Sequence, residues 1–193
     1  MKQVVLIGDS IRMGYQETVR ETLAGRADVW GPEQNGGTSE NLLAHVEEWI
    51  VARQPDILHL NCGLHDLRKE FGQEASVVPL DRYAENVRAI LDGALTKTKA
   101  TVIWALTTPV NQAWHRERKL FERWENDVVA YNKVATDIAR QRGIAVNDLF
   151  AVVMEAGRDK ALLPDGVHFT PAGYALLGKA VAECICKHGG IAQ

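Results

Sequence analysis

Cysteine is scarce in this chain, with three among 193 residues. An odd count without regular spacing is no disulfide framework, so free thiols are expected. Basic charge is not in excess: 22 Lys and Arg stand against 25 Asp and Glu, a formal net charge of −3. That balance offers no field to a phosphate backbone, and no amphipathic stretch carries clustered Lys or Arg. Nucleic acid and lipid surfaces are therefore not expected partners. Long apolar runs are missing too, and no segment approaches the ~20 residues of a membrane span. Met1-Lys2-Gln3 leads straight into Val4-Val5-Leu6-Ile7, without the charged head, apolar stretch and cleavage site of an export signal. A cytoplasmic location is the expectation. No repeat, low-complexity tract or linker divides the chain, and 46% hydrophobic residues suit one core, hence one domain over residues 1–193.

What the chain does have is alternation. Apolar runs rich in β-branched residues cover Gln3 to Ile7, Ile57 to Cys62, Thr101 to Leu106 and Ile144 to Asn147, with a weaker one at Asp28 to Trp30. They lack strict polar alternation, as strands covered on both faces do. Between them run helical stripes: Leu42, Leu43, Val46, Trp49 and Ile50 behind the capping candidates Thr38 and Ser39; Tyr83, Val87, Ile90 and Leu91; Val128, Tyr131, Val134, Ala135 and Ile138, ending at Gly143; and a last one from Pro171 through Cys184. This order predicts an α/β domain with a central parallel sheet between helical layers. Ligands of such sheets bind beyond the carboxyl ends of the strands. That rule selects Gly8-Asp9-Ser10, Gly31 to Gly37, Gly63 to Asp66, Thr107 to Val110, and Asp148. Arg68 to Pro79 and Asn111 to Arg118 are the least regular stretches and read as rim loops or lids.

In "VLIGDSIRMGY" a buried strand ends on Asp9-Ser10 before a helix expected to begin near Arg12. A serine there would hold its Oγ at the sheet edge with its N–H near the positive end of the helix, though it could equally be an N-cap. A serine hydroxyl needs a base. "LLPDGVHFTPAGYALL" supplies His168 three residues after Asp165, close enough in a turn for the carboxylate to orient the imidazole; otherwise Asp165 merely turns the chain at Gly166. "QNGGTS" sets Gly36 and Gly37 ahead of a helix start, where backbone N–H groups are open to an anion, and "NCGLHD" sets Gly63, His65 and Asp66 at a strand end.

These four blocks, in this order, resemble the SGNH hydrolases, also called GDSL-type esterases and lipases, over essentially the whole chain; "DGVHFTPAGY" is the most specific block. The resemblance implies a three-layer α/β/α flavodoxin-like fold, Ser10 as nucleophile, His168 as general base and Asp165 as its orienting acid. It also implies an oxyanion hole from the Ser10 N–H, the Gly36 (or Gly37) N–H and the side chain at position 65. The chain departs from the pattern there: Gly63-Leu64-His65-Asp66 stands where the family shows Gly-x-Asn-Asp, so an imidazole N–H would replace an amide. Asp66 reads as support for the loop. The reaction implied is ester hydrolysis through an acyl-enzyme, with no metal or organic cofactor.

Small acyl groups, acetyl first, on a polar alcohol such as a carbohydrate are the expected substrates. In "NQAWHRERKLFERWENDV", Trp114, Phe121 and Trp124 could stack on a sugar and Arg116, Arg118 or Lys119 meet an acidic group. The helical spacing of Leu120, Phe121, Trp124 and Val128 fits core or subunit contact instead, which leaves a homo-oligomer open. Two rival readings are a non-catalytic binding module on this scaffold and a metal-dependent phosphoesterase built from Asp9, His65, Asp66, Asp165 and His168. No paired metal-ligand motif such as His-x-x-x-His occurs, and Cys184, Cys186 and His188 lack a fourth partner. Cys184 is expected in the core.

Overall fold

In the computed structural model, which describes residues 1–192, the apolar runs form five parallel strands in the order β2-β1-β3-β5-β7. These are β1 (Lys2–Ile7), β2 (Ala27–Trp30), β3 (Ile57–Leu60), β5 (Thr101–Ala105) and β7 (Ala145–Asn147). Two further strands, β4 (Lys69–Glu70) and β6 (Phe121–Glu122), pair antiparallel at the rim. The helices are α1 (Ser10–Thr22), α2 (Ser39–Ala44), α3 (Val46–Trp49), α4 (Leu80–Lys97), α5 (Gln112–Arg118), α6 (Glu125–Gln141), α7 (Leu149–Ala156), α8 (Arg158–Ala161) and α9 (Pro171–Gly189). The fold is the expected three-layer α/β/α, flavodoxin-like arrangement.

Strand order reverses between β1 and β3, so right-handed crossovers running in opposite directions along the sheet put their helices on opposite faces. Accordingly α1 packs against α9, while α2 packs on α4 and α4 on α6. Strands β1 and β3 are buried wherever both layers cover them, and Leu6, Ile7, Leu58 and Leu60 are fully enclosed. Their carboxyl ends, carrying Gly8-Asp9-Ser10 and Asn61 to Asp66, flank the reversal point, where an open α/β sheet forms its crevice. Among the described residues no helix is long and apolar enough to cross a membrane.

Two expected elements differ. The stripe from Leu42 to Ile50 is broken at His45, whose Nδ1 lies 2.8 Å from the Asn41 carbonyl and whose backbone N–H turns to Leu42. The ring thereby competes for a carbonyl the helix ladder would use. Asn111 to Arg118 is mostly helix rather than loop: Asn111 caps α5 by accepting from the Trp114 N–H at 3.1 Å. The helical spacing of Leu120, Phe121, Trp124 and Val128 does not mark one helix. Phe121 lies in β6, Leu120 is 86% exposed, and α6 starts only at Glu125.

Candidate active site

Asp9 caps α1, its Oδ1 accepting from the Ile11 N–H at 2.9 Å. Ser10 is therefore the first helical residue and not the cap, and the helix begins ahead of Arg12. With Asp9 at the cap, the Ser10 side chain is left for other partners. Its Oγ lies 3.0 Å from His168 Nε2, and His168 Nδ1 lies 2.6 Å from Asp165 Oδ2. With Nδ1–H donated to the carboxylate, Nε2 accepts from the serine hydroxyl, the tautomer a base requires. Asp165 Oδ1 takes the backbone N–H groups of Val167 and His168 at 3.1 and 2.9 Å. Burial works against charge on Asp165, but the hydrogen bonds from His168 and Val167 outweigh it and hold the carboxyl down to about 2.

Helix α5 buttresses this turn. The Asn111 N–H donates to the Gly166 carbonyl at 2.8 Å, and Lys119 Nζ sits 3.6 Å from the same Asp165 Oδ2 that faces the imidazole. Gly166 has φ +73°, and a Cβ there would lie 2.4 Å from the Asn111 carbonyl oxygen and 2.8 Å from the His115 nitrogen. Gly166→Ala is therefore expected to cost about 1–3 kcal/mol in backbone strain, with a comparable clash term. A lower denaturation midpoint together with a reduced kcat would be measured, because the displaced turn carries both Asp165 and His168.

The expected backbone donors of the glycine loop are already engaged. The Gly36 N–H donates to the Gly8 carbonyl at 3.0 Å, and that of Gly37 to Asn35 Oδ1 at 2.9 Å. Strand β2 ends at Trp30, so Gly36 supplies the donor that the Gly8 carbonyl would otherwise lack; a Cβ at Gly36 would stand 2.6 Å from that oxygen. The Ser10 N–H, by contrast, has no hydrogen-bond partner among the described residues. Nor does either ring nitrogen of His65, whose Nε2 lies 3.9 Å from Asp9 Oδ2. Burial lowers the pKa of His65, Asp9 opposes that shift, and Arg123 and Arg68 reinforce it, so the ring is neutral at neutral pH with one N–H to give. Asp66 supports its loop as expected, accepting from the Ser39 N–H at 2.8 Å and from the Ser39 hydroxyl, while Asn86 donates to that hydroxyl. Burial pushes the Asp66 carboxyl up to about 6 despite these bonds.

Of the aromatics expected at the substrate, Trp114 is half-buried against the core. Phe121 packs against two guanidinium groups, Arg68 at 4.1 Å and Arg123 at 5.0 Å from its ring centre. Trp124 lines a cavity of about 510 Å³ between α5 and β6. Cys186, rather than Cys184, is the buried cysteine of the last helix. Three residues near the site were not anticipated. Arg12 ties the glycine loop to α1 by donating to the Pro32 and Gln34 carbonyls at 2.8 and 3.0 Å. Asn111 joins α5 to the Asp165 turn, and Arg123 Nε donates to the Leu64 carbonyl beside His65 at 2.8 Å. Asn111 alone left a trace in sequence, as a capping residue; nothing in the pattern marks a buried arginine.

The sequence model of the GDSL-like lipase/acylhydrolase family matches residues 6–176. No curated protein matches the chain. Among solved structures, a lipase/acylhydrolase from Enterococcus faecalis superposes with a TM-score of 0.80 at 23% identity, covering 100% of this chain and 98% of the other. An acetylxylan esterase from Geobacillus stearothermophilus superposes with a TM-score of 0.72 at 20% identity, over 95% of this chain and 94% of its own. A GDSL-like lipase from Bacteroides thetaiotaomicron gives 0.73 at 23% identity, over 96% and 88%. A family match across most of the chain, joined to the same three-layer fold, makes this protein a member of the GDSL-like lipase/acylhydrolase family and a carboxylic ester hydrolase.

Proposed function

We propose that the protein hydrolyses small acyl esters, acetyl above all, of a polar alcohol such as a carbohydrate, using Ser10, His168 and Asp165 as a triad. The observation that carries this reading is the unbroken relay from Ser10 Oγ through both ring nitrogens of His168 to a carboxylate held in its charged form. Ser10 attacks the ester carbonyl as its proton passes to His168 Nε2. The imidazolium, stabilised by Asp165, returns that proton to the leaving alcohol. Water then cleaves the acyl-enzyme with the same base. The oxyanion is received by the Ser10 N–H and the neutral His65 ring, neither of which has a hydrogen-bond partner among the described residues. Two structural neighbours described as acetyl xylan esterases support the acetyl-carbohydrate choice.

The test is p-nitrophenyl acetate hydrolysis with and without EDTA, alongside covalent labelling by a fluorophosphonate read by peptide mass spectrometry. Turnover indifferent to chelator, with the label on the peptide containing Ser10, is the expected result. Turnover abolished by EDTA, or a label elsewhere, would overturn the reading. Butyrate and octanoate esters run in parallel should react progressively more slowly.

A further inference from the structure

The cations around the rim of this site pair with carboxylates, and of the two buried arginines that do not, Arg12 is occupied by Gln16 and the Pro32 and Gln34 carbonyls, which leaves Arg123. Arg116 is 3.2 Å from Glu122, Lys69 is 2.7 Å from Asp127, Arg118 is 3.0 Å from Glu117, Lys119 is 3.6 Å from Asp165, and Arg68 contacts Glu70. Arg123 is only 7% exposed and has no carboxylate within 4 Å among the described residues. Its Nε is taken by the Leu64 carbonyl, and its Nη1 lies 3.3 Å from His115 Nε2, a buried ring whose charge is disfavoured first by burial, down to about 4. Nη2 has no hydrogen-bond partner among the described residues, yet it is not one of the fully enclosed unpaired atoms and so keeps accessible surface. Burial lowers the Arg123 pKa to about 10, which still leaves the group charged at neutral pH. A buried cation without a counter-ion is costly unless something supplies one.

Arg123 also lines the cavity of about 510 Å³, together with Trp124, Gln112 and the Arg116–Glu122 pair. Gln112 Oε1 accepts from the Glu125 N–H at 3.2 Å, so its amide NH₂ remains to donate. Through Leu64, the guanidinium backs onto His65 and hence onto the Ser10 crevice. We infer that this cavity is a subsite for a carboxylate carried by the ester's alcohol, as in an acetylated sugar acid, with Arg123 as its counter-ion and Trp124 as its apolar wall. Glu117 and Glu122 on the same lining are paired with Arg118 and Arg116, which leaves Arg123 as the lining cation without a carboxylate partner among the described residues. The inference names the substrate class of the site proposed above and rests on that reading for its link to catalysis.

The experiment has two arms. In the first, glucuronate and glucose are compared as inhibitors of p-nitrophenyl acetate hydrolysis, and acetylated methyl glucuronoside is compared with acetylated methyl glucoside as substrate. A charged hydrogen bond to a buried guanidinium predicts an acid preference of about 10–100-fold, weakened by salt and brought towards one by Arg123→Gln. A wild-type protein with Ser10-dependent turnover but no preference for the acid overturns the subsite and leaves the esterase standing. In the second arm, calorimetric titration of glucuronate into wild-type and Ser10→Ala protein needs no turnover. Binding of glucuronate and not of glucose supports the subsite even where the esterase reading fails, and no binding overturns it. Should Arg123→Gln not fold, the apolar Arg123→Met replaces it, and a preference unmoved by that variant also overturns the assignment.

Discussion

Ser10→Ala and His168→Ala are each expected to lower kcat by about 10⁶, and the double variant by no more than either alone. The reason lies in the geometry. The hydroxyl is useful only while Nε2 accepts its proton at 3.0 Å, and the imidazole is useful only while a hydroxyl is there to be deprotonated. Two groups that act as a unit are lost together, so the second deletion has nothing further to remove. Additive losses, or a full-rate Ser10→Ala protein, would show the relay to be structural. Folding is checked by the thermal midpoint; Ser10 is the first residue of α1 with Asp9 as the cap, so its alanine variant keeps the capped helix. Asp165→Asn removes less, about 10⁴, because it disturbs tautomer and charge stabilisation but leaves nucleophile and base in place. Its carboxyl is held at about 2, so it stays ionised well below the ordinary carboxylate range and the acid limb of the wild-type rate profile is not its titration. The same shift makes it a stabilising group: its contribution is present above the unfolded carboxylate pKa and is lost as pH falls towards about 2.

The parts of this architecture that local pattern controls were legible, and those set by contact at a distance were not. Strand positions followed from β-branched runs because a parallel sheet covered on both faces has no other composition to use. Asp165 and His168 could be paired because three residues in a turn bring them together without help from the rest of the fold. Ser10 could be placed at the crevice from the strand end alone. The glycine loop shows the limit. Gly36 is recognisable as a position of close approach, but what it approaches, the Gly8 carbonyl, depends on β2 ending one strand away. Helix α5 shows it again. Its cap is local and readable, whereas its seat against Gly166 joins segments some fifty residues apart. Arg12 and Arg123 were invisible because a buried guanidinium is specified by carbonyls from other elements, and no spacing in the chain announces it.

His65→Ala is expected to lower kcat about 10²–10³ with little change in KM, and His65→Asn to recover most of that loss. The resemblance implies an asparagine amide N–H at this position, and the imidazole here is neutral because burial outweighs the pull of Asp9 while Arg123 and Arg68 push the same way. Either side chain can therefore offer one hydrogen to an oxyanion, and alanine offers none. The position carries unusual weight in this chain because the Gly36 and Gly37 N–H groups already have acceptors, whereas the Ser10 N–H and the His65 ring have none among the described residues. An interaction made mainly with the charged oxygen of the tetrahedral intermediate appears in kcat rather than in KM, so the split between the two constants separates a donor from a residue that only shapes the loop. Asp66, through Ser39 and Asn86, holds that loop independently of the residue at position 65, and the alanine variant should keep its thermal midpoint. If alanine and asparagine lose activity equally, the imidazole acts through its ring and not its N–H. If neither loses activity, the Ser10 N–H serves the oxyanion without help from position 65.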